Sequence, residues 1–234
     1  MKTILFNATG DESFSGRLDA VLDLARAFDA HVTLLHAIPY EAAGTIDFHG
    51  AAFAAMVPYW REEAAKLRDR TLDDLSNEGV SWNWVEAAGP VALAMLRESS
   101  LNDLAVVSAR DPNTVDGTPS FTAGELAVTA DCPVLVLPDS CKRLSPNAAA
   151  LVAWDGSAEA SHALKAAVPL LHKAQAVYLA TVKEPGKGTK EPELPPVNGA
   201  DYLSRHGISC EMIEVEAGDK GVSEALVAHA EHRK

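Results

Sequence analysis

The chain has 234 residues, of which 47% are hydrophobic and 23% are charged. These fractions are typical of a packed globular protein, and they exclude global disorder and collagen-like repeats. The net charge of −13 disfavours nucleic-acid backbones and anionic membrane surfaces as partners. The sequence contains no apolar run close to the roughly 18 residues that a membrane helix requires.

The cysteines and the amino-terminal residues bear on the cellular compartment. Cys132, Cys141 and Cys210 are odd in number, and no Cys-x-x-Cys pair occurs. The first residues reach Asp11 without the small-residue cleavage site of a secretory signal. We therefore predict reduced, structural thiols and a cytoplasmic location.

Short apolar runs alternate with amphipathic segments through the first 138 residues. The runs predict buried strands, at 3–6, 32–38, 80–85, 104–107 and 134–137. Apolar residues at helical spacing predict helices between them, at 14–28, at 58–75, from 90 onward and at 122–130. Parallel strands need crossover connections, so this alternation predicts a parallel sheet with helices on both faces.

Two connections differ from the rest in length and composition. Residues 39–56 lack a clear periodicity and predict a long irregular connection. Pro58 then suits the first turn of the second helix, where its missing N–H is not needed. Residues 183–197 carry four prolines and predict a surface loop. We expect these two segments to be the most mobile parts of the chain.

The pattern restarts near residue 149. The apolar run 149–154 and the turn Asp155-Gly156-Ser157 resemble the start of the chain, and Gly207 repeats the position of Gly79 before a third strand. A tandem duplication follows, with a first domain over 1–138, a linker over 139–148 and a second domain over 149–234.

The second copy is shorter than the first. Its last residue corresponds to Asp103, so the fourth strand, the last helix and the fifth strand have no counterpart. We interpret the second domain as incomplete, either because the chain is truncated or because a natural tail is absent from it.

Three segments carry a resemblance to a known family. Leu151-Val152-Ala153-Trp154-Asp155-Gly156-Ser157 is similar to the first strand and turn of the universal stress protein family. The segments 103–107 and 130–138 look like the fourth and last strands of that family. The resemblance implies a doubly wound α/β fold of the adenine nucleotide alpha-hydrolase type. Its sheet would be parallel, in the order 3-2-1-4-5, with only strands 3-2-1 in the second copy.

The resemblance also implies where a nucleotide would bind in the first copy. In nucleotide-binding members an aspartate after strand one reaches the adenosine, and a glycine-rich loop after strand four holds the phosphates. Glycines let backbone N–H groups approach phosphate oxygens in front of a helix. The matching positions are altered, to Thr9, Ser108, Asp111 and the pair Ser120-Phe121. Asp116 adds a further negative charge, so we predict a degenerate site in the first domain.

The second copy retains the start of that site. Asp155, Gly156 and Ser157 match the family turn, with Val182 of the next strand as a further candidate contact for ATP or AMP. The alternative is a purely structural turn in which Ser157 caps the following helix.

Catalytic and metal-binding patterns are weak. No serine lies in a nucleophile elbow, and no cysteine has a local histidine partner. His229 and His232 share a helix face but lack a third ligand nearby, so we predict no metal site.

The favoured function is a cytoplasmic stress-response protein that acts by binding and scaffolding rather than catalysis. An ATP- or AMP-binding sensor that uses the second domain is the alternative, and a small-molecule hydrolase of related fold is a third hypothesis.

The strand 134–137 is an edge in the family pattern. We expect this strand to pair with the same strand of a second molecule in a homodimer, or to be covered by residues 139–148.

Overall fold

The structure is a computed structural model that describes residues 1–38, 51–112, 114, 118–183, 199–217 and 221–232, without the side chains of 51–54. The chain divides into two compact units, unit 1 over residues 1–145 and unit 2 over residues 146–234. The predicted loop 183–197 lies outside the described residues except for Lys183, as do residues 39–50.

Unit 1 is a five-stranded parallel sheet with helices on both faces. Its elements in chain order are β1 (Thr3–Asn7), α1 (Phe14–Phe28), β2 (His31–Ile38), α2 (Ala51–Leu75), β3 (Trp82–Ala88), α3 (Val91–Ser99), β4 (Leu104–Ser108), α4 (Phe121–Thr129) and β5 (Val134–Leu137). The strand order is β3-β2-β1-β4-β5, which confirms the predicted order and fold class.

The central strand β1 shows why its sequence is apolar without alternation. Ile4, Leu5 and Phe6 are all fully buried, because helices cover both faces of the sheet. On one face the ring of Phe6 stacks on Phe14 of α1, with 5.9 Å between ring centroids. On the other face Leu5 packs in a cluster with residues of α3 and α4, including Met95.

The start of α2 corrects the prediction from the sequence. The helix begins at Ala51, so residues 51–56 are helical and Pro58 lies inside the helix rather than in its first turn. The run Ala51-Ala52-Phe53-Ala54-Ala55 is rich in the strongest helix former, and this favours helix on the amino-terminal side of the proline. The buried face of α2 is formed by Ala64, Leu67, Thr71 and Leu75, whereas Trp60 is only half-buried.

The edge strand β3 is displaced from its predicted position. It runs from Trp82 to Ala88 rather than over 80–85, and it pairs along the length of β2 as far as Ala88 opposite Ile38. The extra residues, Glu86-Ala87-Ala88, have low strand propensity, so the neighbouring long strand rather than local preference defines the carboxyl end of β3.

Unit 2 repeats the first half of unit 1. Its elements are β6 (Ala150–Ala153), α5 (Ala158–Leu171), β7 (Val177–Lys183), α6 (Gly199–Arg205), β8 (Glu211–Glu216) and α7 (Val222–Glu231). The three strands are parallel in the order β6-β7-β8, as predicted for strands one to three of a second copy. The core of unit 2 is small and apolar, formed by Leu164, Leu171, Val177, Leu203 and Ile208.

A glycine at the same place in each unit supports the duplication. Gly79 follows α2 and has φ +65°, and Gly207 follows α6 and has φ +72°. Both residues therefore adopt the left-handed conformation, which glycine adopts at the lowest cost at the end of a helix. The same backbone requirement thus precedes the third strand of each copy.

The cysteines are all free, and Cys132 lies in the core of unit 1. Burial raises the pKa of its thiol, as it does for Cys141 and Cys210. Such thiols ionise less readily than an exposed cysteine, which fits a structural rather than a reactive role. Among the described helices, none has the length and apolar content needed to cross a membrane.

Candidate functional site

The carboxyl ends of β1 and β4 meet at one edge of the unit 1 sheet. β1 and β4 are paired neighbours, with Phe6 opposite Val106. Thr9 follows β1 by two residues and Ser108 ends β4, so both candidate residues lie at this edge. In parallel α/β sheets, ligands bind at the carboxyl ends of the strands, where the strand order reverses.

An ion pair holds the turn after β1. Asp11 accepts a hydrogen bond from the backbone N–H of Ser13 at 2.9 Å, and its other carboxylate oxygen accepts from Nη2 of Arg17 at 2.7 Å. The same Nη2 atom lies 3.4 Å from the carbonyl oxygen of Thr9. Thr9 therefore contributes its backbone carbonyl oxygen to this cluster.

The Arg17 side chain is only 1% exposed, although it carries a charge. Its Nε and Nη1 atoms are buried and have no hydrogen-bond partner in the described part of the structure. A buried guanidinium is stable only when its charge is compensated. In the ion pairs seen here that role falls to Asp11, whose side chain is 30% exposed.

The start of the loop after β4 is held by hydrogen bonds of Ser108 and by Asp139, a residue that follows β5. The hydroxyl oxygen of Ser108 accepts from the backbone N–H of Arg110 at 3.3 Å and lies 3.5 Å from a carboxylate oxygen of Asp139. The Nε atom of Arg110 is 3.3 Å from the other oxygen of Asp139. Ser108 therefore has a side chain where the resemblance to the family predicts a glycine, and that side chain accepts a hydrogen bond within the loop.

The amino terminus of α4 is occupied in the same way. Ser120 is the N-cap, and its oxygen accepts from the N–H of Ala123 at 2.9 Å. The Ser120 hydroxyl donates to Oδ1 of Asp111 at 2.7 Å, and the N–H of Thr122 donates to Oδ2 of Asp111 at 3.1 Å. The remaining altered position, Phe121, begins the helix and is 75% exposed. Asp116 lies outside the described residues.

The corresponding turn of unit 2 follows β6. Oδ1 of Asp155 accepts from the N–H of Ser157 at 2.9 Å. Ser157 is the N-cap of α5, as the sequence predicted, and its oxygen accepts from the N–H of Ala160 at 3.1 Å. Gly156 has φ +79°, a conformation that other residues adopt only with strain. Hydrogen bonds from the hydroxyl and the N–H of Ser157 hold the pKa of Asp155 below its usual range.

Asp155 and Val182 lie at the same edge of the unit 2 sheet. Asp155 is exposed and follows β6, while Val182 is half-buried near the end of β7, opposite Val215 of β8. Beside them the ring of Trp154 packs on the start of α6, where a Cβ atom on Gly199 would lie only 3.0 Å from the ring. The edge therefore combines an ionised carboxylate with a packed indole.

The two turns share a feature that the sequence analysis missed. In both, an aspartate accepts from the N–H of the serine two residues later, at 2.9 Å in each case. In unit 2 this aspartate, Asp155, is the second residue after the strand, whereas in unit 1 it is Asp11, the fourth. Thr9 is the second residue after β1, so it has in unit 1 the position that Asp155 has in unit 2. The repeated Asp-x-Ser pattern before each helix was the available signal.

Metal-ligating side chains do not converge in the part of the chain that the structure describes: no group of three or more His, Cys, Asp or Glu could hold an ion. The ring of His232 instead contacts the backbone carbonyl of Ala228, with its Nδ1 at 2.7 Å.

Comparison with known proteins gives matches among solved structures alone, since no family model and no curated protein matches the chain. A universal stress protein from Archaeoglobus fulgidus DSM 4304 superposes with a TM-score of 0.70 at 18% identity, covering 98% of this chain and 81% of that one. A putative universal stress protein from Pseudomonas aeruginosa UCBPP-PA14 gives 0.53 at 17% identity, covering 100% and 79%. UspA from Lactobacillus plantarum gives 0.51 at 16% identity, covering 58% of this chain and 97% of that one.

The sheet order of unit 1 and the strand–turn–helix pattern seen in both units define an α/β protein of the doubly wound class. Its fold is that of the universal stress proteins, in agreement with the resemblance seen in the sequence.

Proposed function

We propose that this chain is a cytoplasmic universal stress protein that acts by binding and scaffolding rather than by catalysis. In this proposal unit 1 has lost nucleotide binding and serves as a structural and interaction domain. The fold supports the family, and the loop after β4 supports the loss of the nucleotide site.

The observation that carries the proposal is the state of the three family glycine positions in unit 1. Ser108, Asp111 and Ser120 each bear a side chain, and each side chain is hydrogen-bonded within the loop or to the adjacent helix. A phosphate would need the backbone N–H groups of a bare loop, which glycines expose and these residues do not.

Unit 2 supports a second candidate function, the binding of ATP or AMP as a sensor. The Asp155 carboxylate is exposed and its pKa is lowered by Ser157, so it is an ionised acceptor for hydrogen bonds from the hydroxyl groups of a ribose. Val182 lies at the same edge of the sheet. Contact between a nucleotide and Asp155 is therefore part of this second proposal, together with Gly156 and Ser157 in the turn.

Titration calorimetry with ATP and with AMP separates the two candidates. Under the first proposal the whole chain gives no measurable heat of binding, or only a weak one. Under the second, binding occurs and is lost in Asp155→Ala. Glu159→Ala is the matched control, because this exposed carboxylate lies in the first turn of the same helix and leaves the Asp155 turn intact.

One result would contradict the loss of the unit 1 site. Tight binding that survives Asp155→Ala and disappears on substitution of Thr9 or Ser108 would place the nucleotide in unit 1.

A further inference from the structure

Asp111, in the loop after β4, places its negatively charged carboxylate at the amino terminus of α4. We propose that the Asp111 carboxylate is an internal ligand of this helix terminus and thereby helps unit 1 to reject phosphates. The inference deepens the proposed function and rests on it only in taking unit 1 as unable to bind nucleotide.

Both oxygens of the carboxylate are engaged. Oδ2 accepts from the N–H of Thr122 at 3.1 Å, and Oδ1 accepts from the hydroxyl of Ser120 at 2.7 Å. The Ser120 oxygen in turn accepts from the N–H of Ala123 at 2.9 Å. Two of the helix N–H groups that lack partners within the helix are therefore satisfied, one by the carboxylate itself and one through the serine that the carboxylate holds.

An external anion would use the same groups. A phosphate at a helix amino terminus is bound by free backbone N–H groups and by the positive end of the helix dipole. With Asp111 in place, an incoming phosphate would meet a negative charge and would find the Thr122 donor already taken. The carboxylate thus excludes phosphate by charge and by occupancy together.

The backbone around Asp111 is held independently of its carboxylate. The hydroxyl of Thr114 donates to the carbonyl oxygen of Asp111 at 2.7 Å, and the N–H of Ser120 donates to the carbonyl oxygen of Ala109 at 3.0 Å. Removing the carboxylate should therefore leave the backbone at Asp111 and at Ser120 near its present position. The helix terminus would then present the Thr122 N–H and the Ser120 hydroxyl to solvent as an anion site.

The test is an NMR titration of the full chain with inorganic phosphate, in which the amide signals of Thr122 and Ala123 are followed. Sodium chloride at equal ionic strength corrects for salt. We expect no saturable shift in the natural protein. In Asp111→Ala both amide signals should shift and saturate. The affinity for phosphate should be at least about tenfold higher than in the natural protein, because the negative charge of Asp111 is removed and the Thr122 N–H is released. Asp131→Ala is the control, since it removes an equal charge from beyond the other end of α4 and should behave like the natural protein.

Asp111→Asn guards against a folding defect in the alanine variant. It keeps the shape of the side chain, removes the charge and should bind phosphate more tightly than the natural protein. The proposal is overturned if the natural protein shows saturable shifts at Thr122 and Ala123. It is also overturned if the folded variants at Asp111 show none. Tight ATP binding by unit 1 of the natural protein would instead refute the proposed function, so the two failures are distinguishable.

Discussion

At the carboxyl edge of the unit 1 sheet, single charged residues bond to other groups of the same unit. Arg17 and Asp11 form an ion pair at the turn after β1, and Asp111 accepts a hydrogen bond from Thr122 at the start of α4. Asp11 and Arg17 lie six residues apart, and their pairing needs the helix that begins between them. The sequence therefore could not reveal this pair, although it did identify Asp111 as a misplaced negative charge.

The Asp11–Arg17 pair should contribute strongly to stability. In Asp11→Ala the buried guanidinium loses its counter-charge, so we expect the free energy of unfolding to fall by about 3 kcal/mol. Arg17→Met removes the buried charge at similar volume and should change it by less than about 1 kcal/mol. Urea denaturation measures both values.

A surface pair gives the control for that experiment. Arg68 and Asp69 are bridged at 3.1 Å with side chains 40% and 67% exposed, so Asp69→Ala should change stability by no more than about 0.5 kcal/mol. An equal effect of Asp11→Ala and Asp69→Ala would show that burial does not strengthen the Asp11–Arg17 interaction.

Whole elements show where the structure departs from the prediction made from the sequence. Helix α2 continues through Pro58, and β3 extends along β2 beyond its predicted end. The segment after β5 also leaves the sheet: Arg143 and the N–H of Leu144 bind Asp23 of α1, and a Cβ atom on Gly16 would lie 2.6 Å from the carbonyl oxygen of Cys141. Residues 141–144 therefore lie against α1, and β5 is the last strand of the described sheet.

We propose that the β5 edge pairs with the same strand of a second molecule. The carbonyl oxygen of Pro133 accepts from the N–H of Ala105 in β4, and that of Leu137 accepts from the N–H of Ala109 just after β4. Alternation therefore directs the N–H of Leu135 toward β4 and that of Val136 outward. Val136 is 42% exposed, and Phe121 and Val128 of the neighbouring α4 are 75% and 84% exposed. Apolar exposure beside an open strand edge is typical of an interaction surface.

Val136→Pro is the substitution that tests this edge. It removes an outward donor without breaking the β4–β5 ladder, so we expect a homodimer that dissociates about tenfold more readily. Sedimentation velocity over a concentration series measures the change. Leu135→Pro is the contrasting variant, because its proline interrupts pairing with β4 and should lower stability itself. A natural protein that stays monomeric at high concentration would contradict the proposal.

At the scale of the whole molecule, acid stability depends on carboxylates that are hydrogen-bonded in the folded chain. Oδ2 of Asp103 accepts hydrogen bonds from the backbone N–H groups of Lys2 and Thr3. These bonds, chiefly the one from Lys2, lower the pKa of the Asp103 carboxyl from its ordinary value of 3.8. The pKa of Asp155 is lowered too. A depressed folded pKa contributes stability that is present above the unfolded pKa and is lost as pH falls through the folded pKa.

Asp103→Asn should therefore reduce the pH dependence of unfolding. We expect its free energy of unfolding to fall less than that of the natural protein between about pH 5 and pH 2, because position 103 can no longer bind a proton on unfolding. Asp19→Asn is the control of opposite sign, since burial raises the pKa of Asp19 and its removal should increase the fall in acid. Denaturant titrations at several pH values measure both, and identical acid profiles for the natural protein and Asp103→Asn would contradict this account.

Local chemistry was sufficient for the outline of this protein. Apolar runs, helix periodicity and turn residues predicted the parallel sheet, the repeat and the Ser157 cap, because these depend on neighbours in sequence. Tertiary structure alone decided the extent of β3, the burial of Arg17 beside Asp11 and the hydrogen bonds by which Asp111 caps α4. Each of these depends on a partner brought close by the fold, and the gain from burying or pairing that group exceeds the local preference that the sequence displays.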